Sequence, residues 1–148
     1  MTKILIPIET SIGERRVSAT PETVKKLKNL GCDVYIEKSA GELSGFKDFS
    51  YEESGGIIFT EQDFNLWKEV DIIFCIHCPD YEKLNKLKEG CLIIGLLNPF
   101  GNKDLAKLLS DLKLSAIALE LLPRISRAQS SDVLSSQANI AGYKSVLL

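Results

Sequence analysis

The densest run of groups able to do chemistry lies at residues 123–139, Pro-Arg-Ile-Ser-Arg-Ala-Gln-Ser-Ser-Asp-Val-Leu-Ser-Ser-Gln-Ala-Asn. Two Arg, one Asp, two Gln and five Ser fall within these seventeen residues. Guanidinium, amide and hydroxyl groups together supply enough donors and acceptors to hold a polar planar ligand such as an amide-bearing ring, with Asp132 able to orient a neighbouring Arg or Gln. The same composition also describes a surface loop whose Ser or Asp caps the next helix. Residue types alone leave both readings open.

Two other clusters invite a chemical reading. Glu14-Arg15-Arg16-Val17 carries adjacent guanidinium groups that either clamp a carboxylate or phosphate or are simply solvated. Cys75-Ile76-His77-Cys78 holds thiols and the chain's one imidazole. On an extended strand, Cys75 and His77 face one side and Cys78 the other, and no second Cys/His cluster follows. The expectation is therefore no metal and no redox pair. Cys32, Cys75, Cys78 and Cys91 read as small apolar side chains. Neither GxGxxG nor GxxxxGK[ST] follows any strand-like run, so the chain has no glycine-rich phosphate cradle of its own.

The elements that must position these groups alternate. Strands are expected at 3–8, 34–37, 57–59, 71–76, 91–97 and 115–119. Helices are expected from Thr20-Pro21 to the Gly31 stop, near 50–54, and at 61–68, 81–88 and 102–112. In the last of these, Leu105, Leu108, Leu109 and Leu112 point inward. Short apolar strands separated by helices predict an α/β fold with a doubly wound, mainly parallel sheet of Rossmann or flavodoxin type, lacking the dinucleotide fingerprint. In such a sheet the loops after strands gather at the carboxyl edge, where ligands bind. Both 14–17 and 123–139 fall there. Residues 124–136 read as a polar loop, followed by an apolar-rich helix running through Ala138, Ile140, Ala141, Tyr143, Val146 and Leu147 to the last residue.

At 148 residues and 45% apolar composition, one domain with one sizeable core is expected. Eighteen basic against twenty acidic side chains give a net charge of −2, too balanced for a nucleic-acid groove. No apolar run approaches the roughly 18 residues of a membrane span, and the amino terminus has no signal-peptide pattern, so a cytoplasmic location is expected.

Residues 123–139, continued through Ile140-Ala141-Gly142-Tyr143-Lys144, closely resemble the Pro-Arg-Ile-Ser-Arg-Ala-Gln-Ser signature of the NAD(P) transhydrogenase α-subunit family. At the other end Ile6-Pro7, Glu9, Glu14-Arg15-Arg16-Val17, Thr20-Pro21 and Val24 resemble the opening of the alanine dehydrogenase and transhydrogenase superfamily. The resemblance implies the N-terminal portion of a soluble NAD(H)-handling subunit. Residues 1–136 would form the first domain, and 137–148 would begin a helix leading to an NAD-binding Rossmann half not present in this sequence.

It also implies hydride transfer between NAD(H) here and NADP(H) on a β subunit, coupled to a membrane proton channel. A homodimer is expected of the full subunit, with peripheral membrane association through its partners. The implied nucleotide-binding residues are Arg124, Arg127, Gln129, Asp132 and Ser135. Gln129 and Asp132 would serve the catalytic step by positioning the ring, since direct hydride transfer needs no protein nucleophile. This portion alone is expected to be inactive.

An alanine dehydrogenase-like domain is the alternative within the superfamily. It would require a Lys on the strand at 71–78 and a His on the next, where this chain has Cys75, His77, Leu96, Leu97 and Asn98; only Arg16 matches. A non-catalytic fragment that binds a partner through its last helix is the alternative from another class.

Overall fold

The computed structural model describes residues 1–147 apart from Glu61, Gln62, Phe64, Arg124 and the side chain of Ser130. Six strands form one sheet: β1 (Lys3–Ile6), β2 (Asp33–Glu37), β3 (Ile57–Phe59), β4 (Ile72–His77), β5 (Leu92–Leu96) and β6 (Ser115–Ala118). Their order across the sheet is β3-β2-β1-β4-β5-β6, and every pairing is parallel. The chain starts in the middle, winds outward to β3, then returns to β4 on the other side of β1. This is the doubly wound α/β architecture that the alternating pattern predicts, with its topological switch point between β1 and β4.

Alternate residues of the strands feed two apolar layers. Leu5, Ile73, Cys75 and Ile93 pack on one face with Trp67 of α3 (Leu66–Glu69), Leu84 of α4 (Tyr81–Leu84) and Leu109 of α5 (Lys103–Asp111). Ile6, Val34 and Ile36 pack on the other with Val24 of α1 (Pro21–Asn29) and Tyr51 of α2 (Asp48–Glu53). Each fully buried Ile, Leu or Val contributes about 1.5–3 kcal/mol. The central strands therefore hold their carboxyl ends rigidly.

Local chemistry sets the helix ends. Thr20 caps α1 by accepting from the Thr23 N–H, with Pro21 in the first turn, and Gly31 at φ +85° follows the last turn. Asn102 caps α5 through the Leu105 N–H, and Leu105, Leu108 and Leu112 flank buried Leu109 against the core as expected.

Two helices are shorter than the pattern suggests. α4 ends at Leu84 instead of 88, because Lys86 and Leu87 bond back three residues, to Lys83 and Leu84, and the chain turns through Gly90 at φ +80°. α3 begins at Leu66; of the helix expected over 61–68, Glu61, Gln62 and Phe64 lie outside the described residues.

The largest departure is at the carboxyl-terminal end. A 3-10 segment (Ser126–Ser131) leads directly into α6 (Val133–Leu147). The final helix thus starts inside the polar run, four residues before the 137 expected. Polar and apolar side chains are interspersed around it, and none of the described ones is buried.

Candidate functional site

The polar run leaves the carboxyl end of β6 and closes on itself. Asp132 is the organising residue. Its Oδ1 accepts from the backbone N–H groups of Leu134 and Ser135, both at 3.0 Å, and its Oδ2 accepts from the Ser135 hydroxyl at 2.6 Å. This is an N-cap with an added side-chain bond, and it satisfies donors that the first turn of α6 would otherwise leave open. Ile125, Ser126, Gln129, Asp132 and Ser135 line a mainly polar pocket of about 300 Å³ there. Three of the sequence-predicted residues, Gln129, Asp132 and Ser135, are thereby brought together. Arg127 is exposed and not among the lining residues, and Arg124 lies outside the described residues.

A second network ties the loop after β1 to this helix. Glu14, with its side chain only 8% exposed, accepts from Arg16 Nε at 2.8 Å and Nη2 at 2.6 Å, and from the backbone N–H groups of Arg15 and Arg16. His77 Nε2 lies 3.0 Å from Glu14 Oε2. The Arg16 side chain, with help from its own N–H and from His77, outweighs the cost of burial and holds the Glu14 carboxyl down to about 2. Arg16 in turn donates through Nη1 to Oε1 of Gln137 on α6 at 3.3 Å. Of the two arginines weighed as clamp or solvated charge, Arg16 is a brace occupied by the protein's own carboxylate, and Arg15 is exposed.

At the switch point itself the donors are also taken. The Ile76 and His77 N–H groups donate to Glu9 Oε1 at 2.6 Å and Oε2 at 3.0 Å. The Ile8 N–H donates to Glu37 Oε2 at 2.9 Å. Glu37 is buried and paired with Lys83 Nζ at 3.3 Å, which also lies 5.4 Å from the Trp67 ring centroid. Sequence reasoning named Glu9, His77 and, within 123–139, Gln137, but missed these pairings, along with Glu37 and Lys83. For the Glu14–Arg16 pair the available signal was their spacing of two residues.

Glu120, in the 3-10 turn that follows β6 (Leu119–Leu121), accepts from the Asn98 N–H with one oxygen and leaves Oε2 buried without a partner, the one such atom found among the described residues. Its place just ahead of the polar run adds an acceptor to the same sheet edge.

The four cysteines are free. Burial pushes the Cys75 thiol far up and the Cys78 and Cys91 thiols up to about 11, which favours the protonated thiol at all three. No group of three or more His, Cys, Asp or Glu able to hold a metal is found among the described residues. No helix among them is long and apolar enough to cross a membrane.

The donor set of the pocket is an amide, a carboxylate and two hydroxyls on an ordered helix start. It suits a polar ligand whose groups both donate and accept. It offers no glycine-rich turn for a pyrophosphate.

Residues 5–141 match the family described as alanine dehydrogenase/PNT, N-terminal domain. The NAD(P) transhydrogenase subunit alpha of Haemophilus influenzae is 39% identical over 142 residues, covering 96% of this chain and 27% of that protein. The NAD(P) transhydrogenase subunit alpha of Cereibacter sphaeroides is 36% identical over 145 residues, covering 98% of this chain and 28% of that one. The crystal structure of transhydrogenase from Sinorhizobium meliloti superposes with a TM-score of 0.92 at 39% identity, covering 98% of this chain and 43% of that one. The chain thus spans between about a quarter and under half of the length of these relatives. The match across fold and signature places it in the alanine dehydrogenase/PNT N-terminal domain family.

Proposed function

We propose that this chain is the N-terminal portion of the NAD(H)-handling subunit of a proton-translocating NAD(P) transhydrogenase, and that it does not transfer hydride alone. The observation that carries this reading is the convergence of Gln129, Asp132 and Ser135 on one polar pocket where α6 begins. Bound NAD(H) supplies the hydride. The protein's part is to hold the nicotinamide end in register. Asp132, fixed by three hydrogen bonds to the first turn of α6, presents its carboxylate edge to a ribose hydroxyl or carboxamide. Gln129, exposed beside it, faces the second nucleotide. Arg124 and Arg127 belong to the same set by resemblance.

Completion of the site requires an NAD-binding Rossmann half, and turnover requires an NADP(H)-binding β subunit and a membrane proton-channel component. The assembly would sit on the cytoplasmic side of the membrane, held there by its partners, with the full subunit as a homodimer. An alanine dehydrogenase activity is disfavoured by Arg16, whose guanidinium is spent on Glu14 and Gln137. It is disfavoured too by Cys75, which is buried on β4 where a substrate-binding lysine would be needed.

NADH fluorescence titration tests the proposal. The chain alone is expected to bind NADH weakly or not at all. Binding and hydride transfer to an NADP analogue are expected once polypeptides supplying the Rossmann half and the β component are added. Tight binding by the chain alone would overturn the half-site reading.

A further inference from the structure

Parallel α/β sheets take their anionic ligands at the switch point, where backbone N–H groups beyond the strand ends aim into a crevice. Here that crevice lies between the ends of β1 and β4. It is lined by Pro7, Ile8, Glu9, His77, Pro79 and Lys83 among others. The chain has built the donor arrangement. Between Phe74 and His77 the pairing of β4 with β5 shifts register. On a regular strand successive N–H groups point to opposite sides. Across this irregularity the Ile76 and His77 N–H groups instead both reach one acceptor, and bulges of this kind re-aim backbone groups beside functional sites.

That acceptor belongs to the protein. Glu9 fills both donors with its two carboxylate oxygens, at 2.6 and 3.0 Å. The neighbouring Ile8 N–H and the Lys83 ammonium are engaged by a second internal carboxylate, Glu37. The crevice is thereby reduced to about 10 Å³, room for at most one water.

We infer that Glu9 is an internal stand-in for a phosphate. It occupies the switch-point anion site of this domain and bars a nucleotide's pyrophosphate from it. A phosphate arriving at the crevice would have to displace one carboxylate and face another. The inference concerns the crevice and holds whether or not the pocket at Gln129 and Asp132 takes NAD(H).

Inorganic pyrophosphate titrated into the chain and followed by amide proton–nitrogen NMR is the test. In the wild type the Ile76 and His77 resonances are expected to stay unmoved by pyrophosphate. In E9A, folded by the dispersion of its spectrum, both should shift saturably, with an affinity at least about tenfold above any seen in the wild type. E9Q guards against a folding failure. Its side chain keeps the shape but turns an amide donor toward one of the two N–H groups, so at least one of the two resonances should respond. Saturable shifts of Ile76 and His77 in the wild type would overturn the inference. So would folded variants in which neither resonance responds.

Discussion

Glu14 gathers five interactions beside the candidate site: two from the Arg16 guanidinium, two from backbone N–H groups and one with His77. Its carboxyl is held at about 2 against an ordinary 4.5. A group whose folded value is depressed adds stability that is complete above the unfolded value and disappears as pH falls through the folded one. The Glu14 contribution is therefore whole above pH 4.5 and is lost on the way down to about pH 2. Denaturant midpoints of wild type and E14Q should differ most at neutral pH and converge across that interval. A constant gap at all pH values would show that Glu14 acts by shape alone. Arg16 was visible in the sequence as a residue of interest, but its partner was not decidable there. Whether a guanidinium meets a substrate carboxylate or one two residues away depends on the turn at Ser11–Glu14, closed by the Glu14 N–H bonding to the Ser11 carbonyl. His77 likewise read as a strand residue of no clear use, because its approach to Glu14 joins positions 63 residues apart.

At the scale of elements, the sheet was the most legible part and the polar run the least. Alternating apolar strands and capped helices follow from local propensity, so β1 to β6 and α1 and α5 were found within a few residues. The start of α6 was not, because its first turn, Val133 to Ser136, is built largely from residues with poor intrinsic helix preference. What starts the helix there is the Asp132 cap, and one cap is a weak signal amid five serines. This gives Asp132 two jobs that substitution can separate. D132A removes the cap and should cost about 0.5–2 kcal/mol, read as lost helicity and a lower denaturant midpoint. D132N keeps a competent cap, so the helix should persist. In the complete transhydrogenase proposed above it should still lower the hydride-transfer rate far more than NADH affinity. Equal losses in rate and affinity for D132N would remove the positioning role and leave Asp132 a helix cap only.

At the scale of the whole molecule, stability is unevenly distributed. β1 is buried along most of its length and flanked by strands on both sides, whereas α6 buries none of its described side chains and leaves Ile140 62%, Tyr143 72% and Val146 85% exposed. A helix whose apolar side chains stand exposed gains little stability from packing. Isolated helices of this length are marginal in water. The Asp132 cap and the Arg16–Gln137 bond both hold α6 at its start, so local opening should begin at the far end. Native-state hydrogen exchange on the chain alone should show β1 and β4 amides exchanging only by global unfolding, at about 5–15 kcal/mol. Amides from 140 to 147 should open at a small fraction of that, and those from 134 to 138 should fall between. If the proposed Rossmann half covers this helix, its addition should erase the gradient by protecting the far end most. A gradient unchanged by that addition would mean the two halves meet elsewhere. Uniform protection of α6 in the chain alone would mean that its own sheet already holds the helix, and the polar pocket at its start would then be rigid before any partner arrives.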